Sequence, residues 1–285
     1  MRTRILSAAV LVPVVVVLFV IGDVWLALGI AALSAFVAYE AAQLFRRAGL
    51  PATTWLVVTW TPLAVFFIGM SVEPSIELRH LVVASGVAIL VMAAAAVAVA
   101  HRDPAVGLRV WVVTVMAALY AGMLGFTVLF VGIGPDRPDS VLFGYAMNSG
   151  KILLLILVAT VWTLDSAAYL VGRSFPRGHF MNHISPNKTW SGAIGGTAAA
   201  VVVCTVLVIG AGMSVLGGAL LGLAIAITAQ LGDLTESVLK RAAGVKDSGT
   251  LIPGHGGFLD RVDSFLFAAP GALLAVIVLG LAGYL

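Results

Sequence analysis

Runs of about twenty apolar residues recur along this chain from Ile5 to Tyr284, and that repetition limits the fold more than any other feature. A helix rising about 1.5 Å per residue needs roughly twenty residues to cross the roughly 30 Å hydrocarbon core of a bilayer. Nine such spans are expected, at about 5–21, 24–44, 54–72, 81–100, 109–133, 150–172, 191–211, 214–240 and 264–284. The expected fold class is therefore all-α, a polytopic integral membrane protein. A chain that is 61% hydrophobic and 10% charged, with mean hydropathy +1.11, is no ordinary soluble domain.

Charge sets the expected orientation. With a cytoplasmic N-terminus, thirteen of the sixteen Lys and Arg residues fall on the cytoplasmic side, against Arg79, Arg137 and Lys151 outside. That bias is the pattern of the positive-inside rule, and nine spans then leave the C-terminus outside. The opening MRTR and the run Ile5–Ile21 lack a small-residue cleavage pattern, so an uncleaved first helix is expected. The net charge of +3 is spread over loops rather than gathered in a stripe, so no nucleic-acid partner is expected. Cys204, the single cysteine, lies in an apolar span and says nothing about redox compartment.

One membrane domain, 1–285, is expected, with 1–145 mainly scaffold spans and 150–285 a catalytic half. Its cytoplasmic loops are 173–190 and 242–262. In the scaffold half Glu40 and Gln43 stand out, and both are expected to reach toward Arg46 and Arg47. The external segment 134–150 is expected to be an ordinary loop.

Polar chemistry concentrates between Gln230 and Asp263. That stretch holds Asp233, Glu236, Asp247, Asp260 and Asp263 together with Lys240, Arg241, Lys246, Arg261 and His255. Charge is expensive beside hydrocarbon, so a cluster of both signs needs a reason. Asp233 and Glu236 lie three apart, with Ser237 and Lys240 continuing one helix face. Glu236 and Lys240 have the spacing of a simple ion pair, which competes with any functional role. Asp260 and Asp263 open the last span on one face, and hard cations such as Mg2+ take carboxylate oxygens plus substrate phosphates. Capping of that helix explains one of the two aspartates, not both. Pro253-Gly254-His255-Gly256-Gly257 precedes them, a segment through which backbone N–H groups can approach a phosphate.

Two upstream sites complete the set. Asp165 lies eight residues before Arg173, so about 12 Å in from that helix end, where a carboxylate faces a bundle interior or a watered cavity. Ser185, Lys188 and Thr189 open the next span, with the chemistry to hold a phosphate through hydroxyls, an ammonium and helix N–H groups; an N-cap is the competing explanation. His179 and His183 lack a third ligand and are not expected to bind zinc.

The pattern Ser237-x-x-Lys240-Arg241-x-x-x-x-Lys246-Asp247-x-x-x-x-x-Pro253-Gly254-His255-Gly256-Gly257-x-x-Asp260-Arg261-x-Asp263 resembles the signature of the phosphatidate cytidylyltransferases, or CDP-diacylglycerol synthases. DSAAYLVGRSF at Asp165–Phe175 and SPNKTW at Ser185–Trp190 are similar to that family too. Ser191 departs from it, since many members carry an acidic or amide residue there.

The resemblance implies transfer of CMP from CTP to phosphatidate, giving CDP-diacylglycerol and pyrophosphate, with Mg2+ alone or beside a second cation. It implies Asp233, Asp260 and Asp263 as metal ligands, and Lys240 and Asp165 as further catalytic residues. Substrate contacts would come from Ser185, Lys188, Thr189, Ser237, Arg241, Lys246, Asp247, His255, Gly256, Gly257 and Arg261. The implied partners are CTP, phosphatidate, the bilayer and a second copy in a homodimer. The implied location is the inner membrane, with the site facing the cytoplasm. Two alternatives stand beside it: a CTP-using enzyme acting on an isoprenoid lipid, and an ion-coupled transporter with Asp165 and Asp233 as coupling carboxylates. Transport would favour paired broken helices and repeated halves, and no internal repeat is visible.

Overall fold

A computed structural model describes residues 17–19, 21–70, 76–131, 140–179, 181–252, 254 and 256–284. The helices are α1 (Asp23–Arg47), α2 (Thr54–Met70), α3 (Ile76–Val99), α4 (Pro104–Gly122), the short α5 (Phe126–Val131), α6 (Ser149–Ser174), α7 (Trp190–Gly210), α8 (Val215–Ala242) and α9 (Leu259–Leu281). Six spans in the described residues are long and apolar enough to cross a membrane: Val24–Arg47, Pro104–Phe130, Ser149–Ser174, Trp190–Gly210, Val215–Ala242 and Leu259–Leu281. Thr54–Gly69 and Val83–Val99 are shorter apolar helices at the third and fourth expected spans. The first expected span lies outside the described residues, apart from 17–19 and 21.

Local chemistry marks the helix starts. Asp103 caps α4 by accepting from the Ala105 N–H at 2.9 Å, with Pro104 in the first turn, where its missing N–H is harmless. Asn148 caps α6 through the Gly150 and Lys151 N–H groups, and Thr189 caps α7 through Gly192.

Chain contacts divide the protein into two compact units. The first holds Met1–Gly132 with Leu239–Val262, the second Ile133–Val238 with Asp263–Leu285.

In the first unit Ala27, Ala31, Val65 and Val128 form a buried cluster. Bilayer lipid is as apolar as leucine, so burial does not drive helices together there; close packing and hydrogen bonds do. The Trp60 indole N–H donates to the Gly86 carbonyl at 3.0 Å and that of Trp111 to Val91 at 3.1 Å. The Thr53 N–H donates to the Thr114 hydroxyl at 2.9 Å. Leu28, Leu63 and Phe67 stay exposed, as lipid-facing side chains should.

In the second unit small residues let helices approach. A Cβ on Gly192 of α7 would stand 2.7 Å from the Ala168 carbonyl oxygen of α6, and one on Gly196 would stand 2.8 Å from that of Leu164. Gln230 of α8 donates to the Thr197 hydroxyl of α7 at 2.8 Å. Gly196→Ala forces two backbones apart, and overpacking of this kind costs about 1–3 kcal/mol. The expected result is a lower thermal midpoint in detergent, while Gly280→Ala, where nothing lies within 4 Å, leaves it unchanged.

The segment expected to be a plain loop contains a β-hairpin. Strand β1 (Ser140–Leu142) pairs antiparallel with β2 (Tyr145–Met147), Val141 opposite Ala146. Its two-residue turn, Phe143-Gly144, has φ of 49° and 90°, the positive pair that matches strand twist. The Phe143 N–H also donates to the Gly210 carbonyl at 2.9 Å, which ties the turn to the end of α7. Phenylalanine is rare at such a turn, so the usual Asn-Gly signal was missing. Apart from this hairpin and two isolated β-bridges, the regular elements among the described residues are helices, as expected.

Candidate active site

The polar loop of the first unit starts where α8 stops. Gly244, at φ 68°, takes the left-handed position that lets its N–H donate to the Arg241 carbonyl and that of Val245 to Lys240, both at 3.0 Å. The loop then narrows: the Ile252 N–H donates to the Gly256 carbonyl at 3.0 Å, with Gly254 and Gly256 both at positive φ. Beyond it α9 begins, and its first turn carries Asp260.

Asp260 is the hub. Its Oδ1 lies 2.8 Å from Lys240 Nζ, with the lysine and aspartate side chains 12% and 8% exposed. Its Oδ2 accepts from the Ser248 N–H at 2.9 Å, the Ser248 hydroxyl at 2.8 Å and the Gly257 N–H at 2.8 Å. Both oxygens are thus occupied by protein donors. This is the geometry of a held anion that orders a lysine and a loop.

Behind Asp260 stands Glu40 of α1, 1% exposed. Its Oε2 accepts from the Leu259 N–H at 2.8 Å and lies 3.2 Å from the Ser248 Oγ. One turn earlier on α1, Phe36 stacks on Phe258 with ring centroids 4.8 Å apart. Glu40 was expected to reach toward Arg46 and Arg47. It turns instead into the loop, because buried N–H and hydroxyl donors there offer a carboxylate more than a solvated guanidinium does. The available signal was weak: one carboxylate in an apolar helix, preceded by an aromatic residue four positions back.

The same loop encloses a cavity of about 620 Å³ lined by Lys246, Asp247, Gly249, Thr250, Ile252, Gly254, Gly256 and Arg261. Two cationic side chains and several glycine backbones facing one cavity suit a polyanion. Five of these eight, Lys246, Asp247, Gly254, Gly256 and Arg261, belong to the motif singled out in the sequence. Arg241 donates to the Val245 carbonyl at 3.0 Å and braces the loop's entry. Pro253 and His255 lie outside the described residues.

The second unit carries its own charged group. Lys188 Nζ lies 2.6 Å from Asp233 Oδ2, and Asp165 stands within electrostatic range of Lys188, Asp233 and Asp263. Among the described residues, no three His, Cys, Asp or Glu side chains converge tightly enough to make a preformed metal centre. The Thr189 hydroxyl caps α7, as the competing explanation had it, accepting from the Gly192 N–H at 3.1 Å, and its Oγ1 lies 3.1 Å from the Ser191 Oγ. Ser191 donates to the Phe175 carbonyl at 2.5 Å and accepts from the Arg177 N–H at 3.4 Å. It therefore stitches the end of the α6 segment to the start of α7. Ser185 closes a turn, accepting the Lys188 N–H at 3.2 Å. Ser237 is buried within α8.

Long apolar helices and a cavity lined by lysine, arginine and glycine define a multi-pass membrane protein with a cationic, glycine-walled pocket. The chain belongs to the cytidylyltransferase family, whose model it matches over residues 2–279. It is similar to the phosphatidate cytidylyltransferase of Brucella suis biovar 1, at 48% identity over 124 residues, 42% of this chain and 45% of that protein. The Synechocystis enzyme of the same name is 44% identical over 136 residues, 46% of this chain and 45% of its own. That of Bacillus subtilis is 43% identical over 123 residues, 42% and 46% respectively. These matches span about half the length of the curated relatives.

Proposed function

We propose that this chain transfers the CMP moiety of CTP to phosphatidate, releasing pyrophosphate and forming CDP-diacylglycerol for phospholipid synthesis. The observation that carries this is the cavity of about 620 Å³ whose wall supplies Lys246, Arg261 and the glycine backbones of a loop ordered by Asp260.

In this reaction an oxygen of the lipid phosphate forms a bond to the α-phosphorus of CTP, and the bond from that phosphorus to the pyrophosphate oxygen breaks. The nucleophile is a phosphate monoester, already ionised near neutral pH, so no strong general base is needed. Catalysis then rests on positioning and charge neutralisation. Lys246 and Arg261 hold the CTP phosphates. Lys240, fixed by Asp260, presents an ammonium whose direction does not have to be found anew in each turnover. Asp247, Gly256, Gly257 and Arg241 shape the loop around the nucleotide, and His255 belongs to the same loop. Lys188, with Ser185 and Thr189 at the head of α7, is assigned to the lipid phosphate.

A divalent cation fits the donors of the second unit. Asp165, Asp233 and Asp263 offer carboxylate oxygens, the chemistry Mg2+ takes. We assign Mg2+ to Asp233 and Asp263, with Asp165 in support; bound there it would neutralise charge developing on phosphate oxygens. Asp260, the third ligand that the resemblance implies, also orders Lys240 and the loop.

The same proposal includes nine spans, a cytoplasmic N-terminus and site, residence in the inner membrane and a homodimer. A cytoplasmic interface brings water-borne CTP to a lipid headgroup. The test is pyrophosphate release by the purified protein with phosphatidate and Mg2+, comparing CTP with ATP, GTP and UTP. Release only with CTP, together with a CDP-lipid, is expected. An inert phosphatidate beside a reactive isoprenoid phosphate would overturn the lipid assignment, and no nucleotide consumption at all would overturn the enzyme itself.

A further inference from the structure

We propose that Glu40 is a positioning residue for nucleotide binding, a clamp from the first described helix that holds the loop Val245–Phe258 in its CTP-receiving shape. The inference rests on the transfer reaction proposed above. Three observations carry it. Glu40 Oε2 accepts the Leu259 N–H at 2.8 Å and faces the Ser248 hydroxyl at 3.2 Å, and Ser248 is the residue that gives Asp260 two hydrogen bonds. The loop leaves room for this carboxylate in particular: a Cβ on Gly249 would collide with Glu40 Oε1, and one on Gly257 would collide with Glu40 Oε2 and the Ser248 hydroxyl. Phe36 and Phe258 stack beside the clamp, so the contact is a packed joint rather than a stray hydrogen bond.

These contacts form a chain from α1 to Lys240. Glu40 holds the Leu259 N–H and packs against the Ser248 Oγ, Ser248 and Gly257 donate to Asp260 Oδ2, and Asp260 Oδ1 holds Lys240. Gly249 and Gly256, each one bond from a clamped residue or facing Asp260 itself, also line the cavity. Loss of Glu40 should therefore loosen the nucleotide pocket. Lys188, to which the lipid phosphate is assigned, belongs to the other unit.

The test uses the full chain in detergent, with CTP and phosphatidate titrated separately, and amide hydrogen exchange read over the loop. Glu40→Ala is expected to raise KM for CTP about tenfold or more, leave KM for phosphatidate unchanged, and speed exchange at Ser248 and Leu259 but not in α6 or α7. Glu40→Gln, whose amide oxygen still accepts from Leu259, should recover much of the loss. Gly249→Ala should resemble Glu40→Ala, and the double variant should be no worse than Glu40→Ala, since the added methyl then has space. A purely structural role would lower the thermal midpoint and the active fraction and leave KM for CTP alone. Wild-type KM for CTP in Glu40→Ala, or unchanged loop exchange, overturns the clamp. Failure of the functional proposal looks different: the wild type consumes no CTP, while exchange still reports whether Glu40 holds the loop.

Discussion

Asp260→Ala is expected to lower kcat/KM for CTP by about 10²–10⁴-fold, the largest single effect in the protein. Breaking a buried ion pair by removing one partner costs about 3–5 kcal/mol, and about 1.4 kcal/mol is a factor of ten. Here the Lys240 ammonium, 12% exposed, would lose the carboxylate that stands 2.8 Å away. The Ser248 and Gly257 donors would lose their acceptor as well. Asp260→Asn is the sharper variant, because its shape is right and its charge is gone. Its amide must point N–H groups either at an ammonium or at two N–H donors and a hydroxyl, so it cannot satisfy both sides. Pyrophosphate release and thermal midpoint should be measured together on Asp260→Leu, Lys240→Met and the double variant. The double should be more stable than either single, since no buried charge is left unpaired, and should remain inactive. An active double variant would show that the pair serves stability alone.

Asp233→Asn should have the next largest effect, about 10²-fold or more in turnover, with a higher Mg2+ concentration at half-saturation. Lys188→Met should move the metal dependence the other way. Without the ammonium 2.6 Å from Asp233, the carboxylate group attracts a divalent cation more strongly, yet turnover falls because the lipid phosphate has lost its assigned cation. Opposed shifts in Mg2+ dependence from two residues in contact distinguish a metal-linked site from a structural ion pair. Identical Mg2+ curves for Asp233→Asn and wild type would sink the metal assignment.

The helices were legible because hydrocarbon allows few alternatives: apolar runs of the right length had to be helical, and Asp103-Pro104 and Asn148 marked two starts in the usual chemical terms. The motif between Ser237 and Asp263 named the loop that proved to line a cavity, although spacing alone could not bring Lys240 to Asp260 across twenty residues. Glu40 was illegible for a physical reason. Its partners lie 208 and 219 residues away, so no local period encodes the contact. Thr189 shows the opposite difficulty. A residue that opens a helix beside a lysine satisfies both the capping and the phosphate expectations, and only the 3.1 Å bond to Gly192 shows what its hydroxyl does. The hairpin at Phe143-Gly144 escaped because its turn uses a residue that pays some strain for a bond to Gly210.

The clamp between α1 and the start of α9 also sets an order on biogenesis. Glu40 leaves the ribosome 219 residues ahead of Leu259, and at about 5–20 residues per second that interval lasts tens of seconds. Throughout it, a newly inserted apolar helix carries a carboxylate whose eventual donors have not been synthesised, and such a charge resists settling into lipid. The Leu259 donor to Glu40 arrives only with the start of the last described helix. A nascent chain that stops before Leu259 would leave the Glu40 carboxylate without that donor.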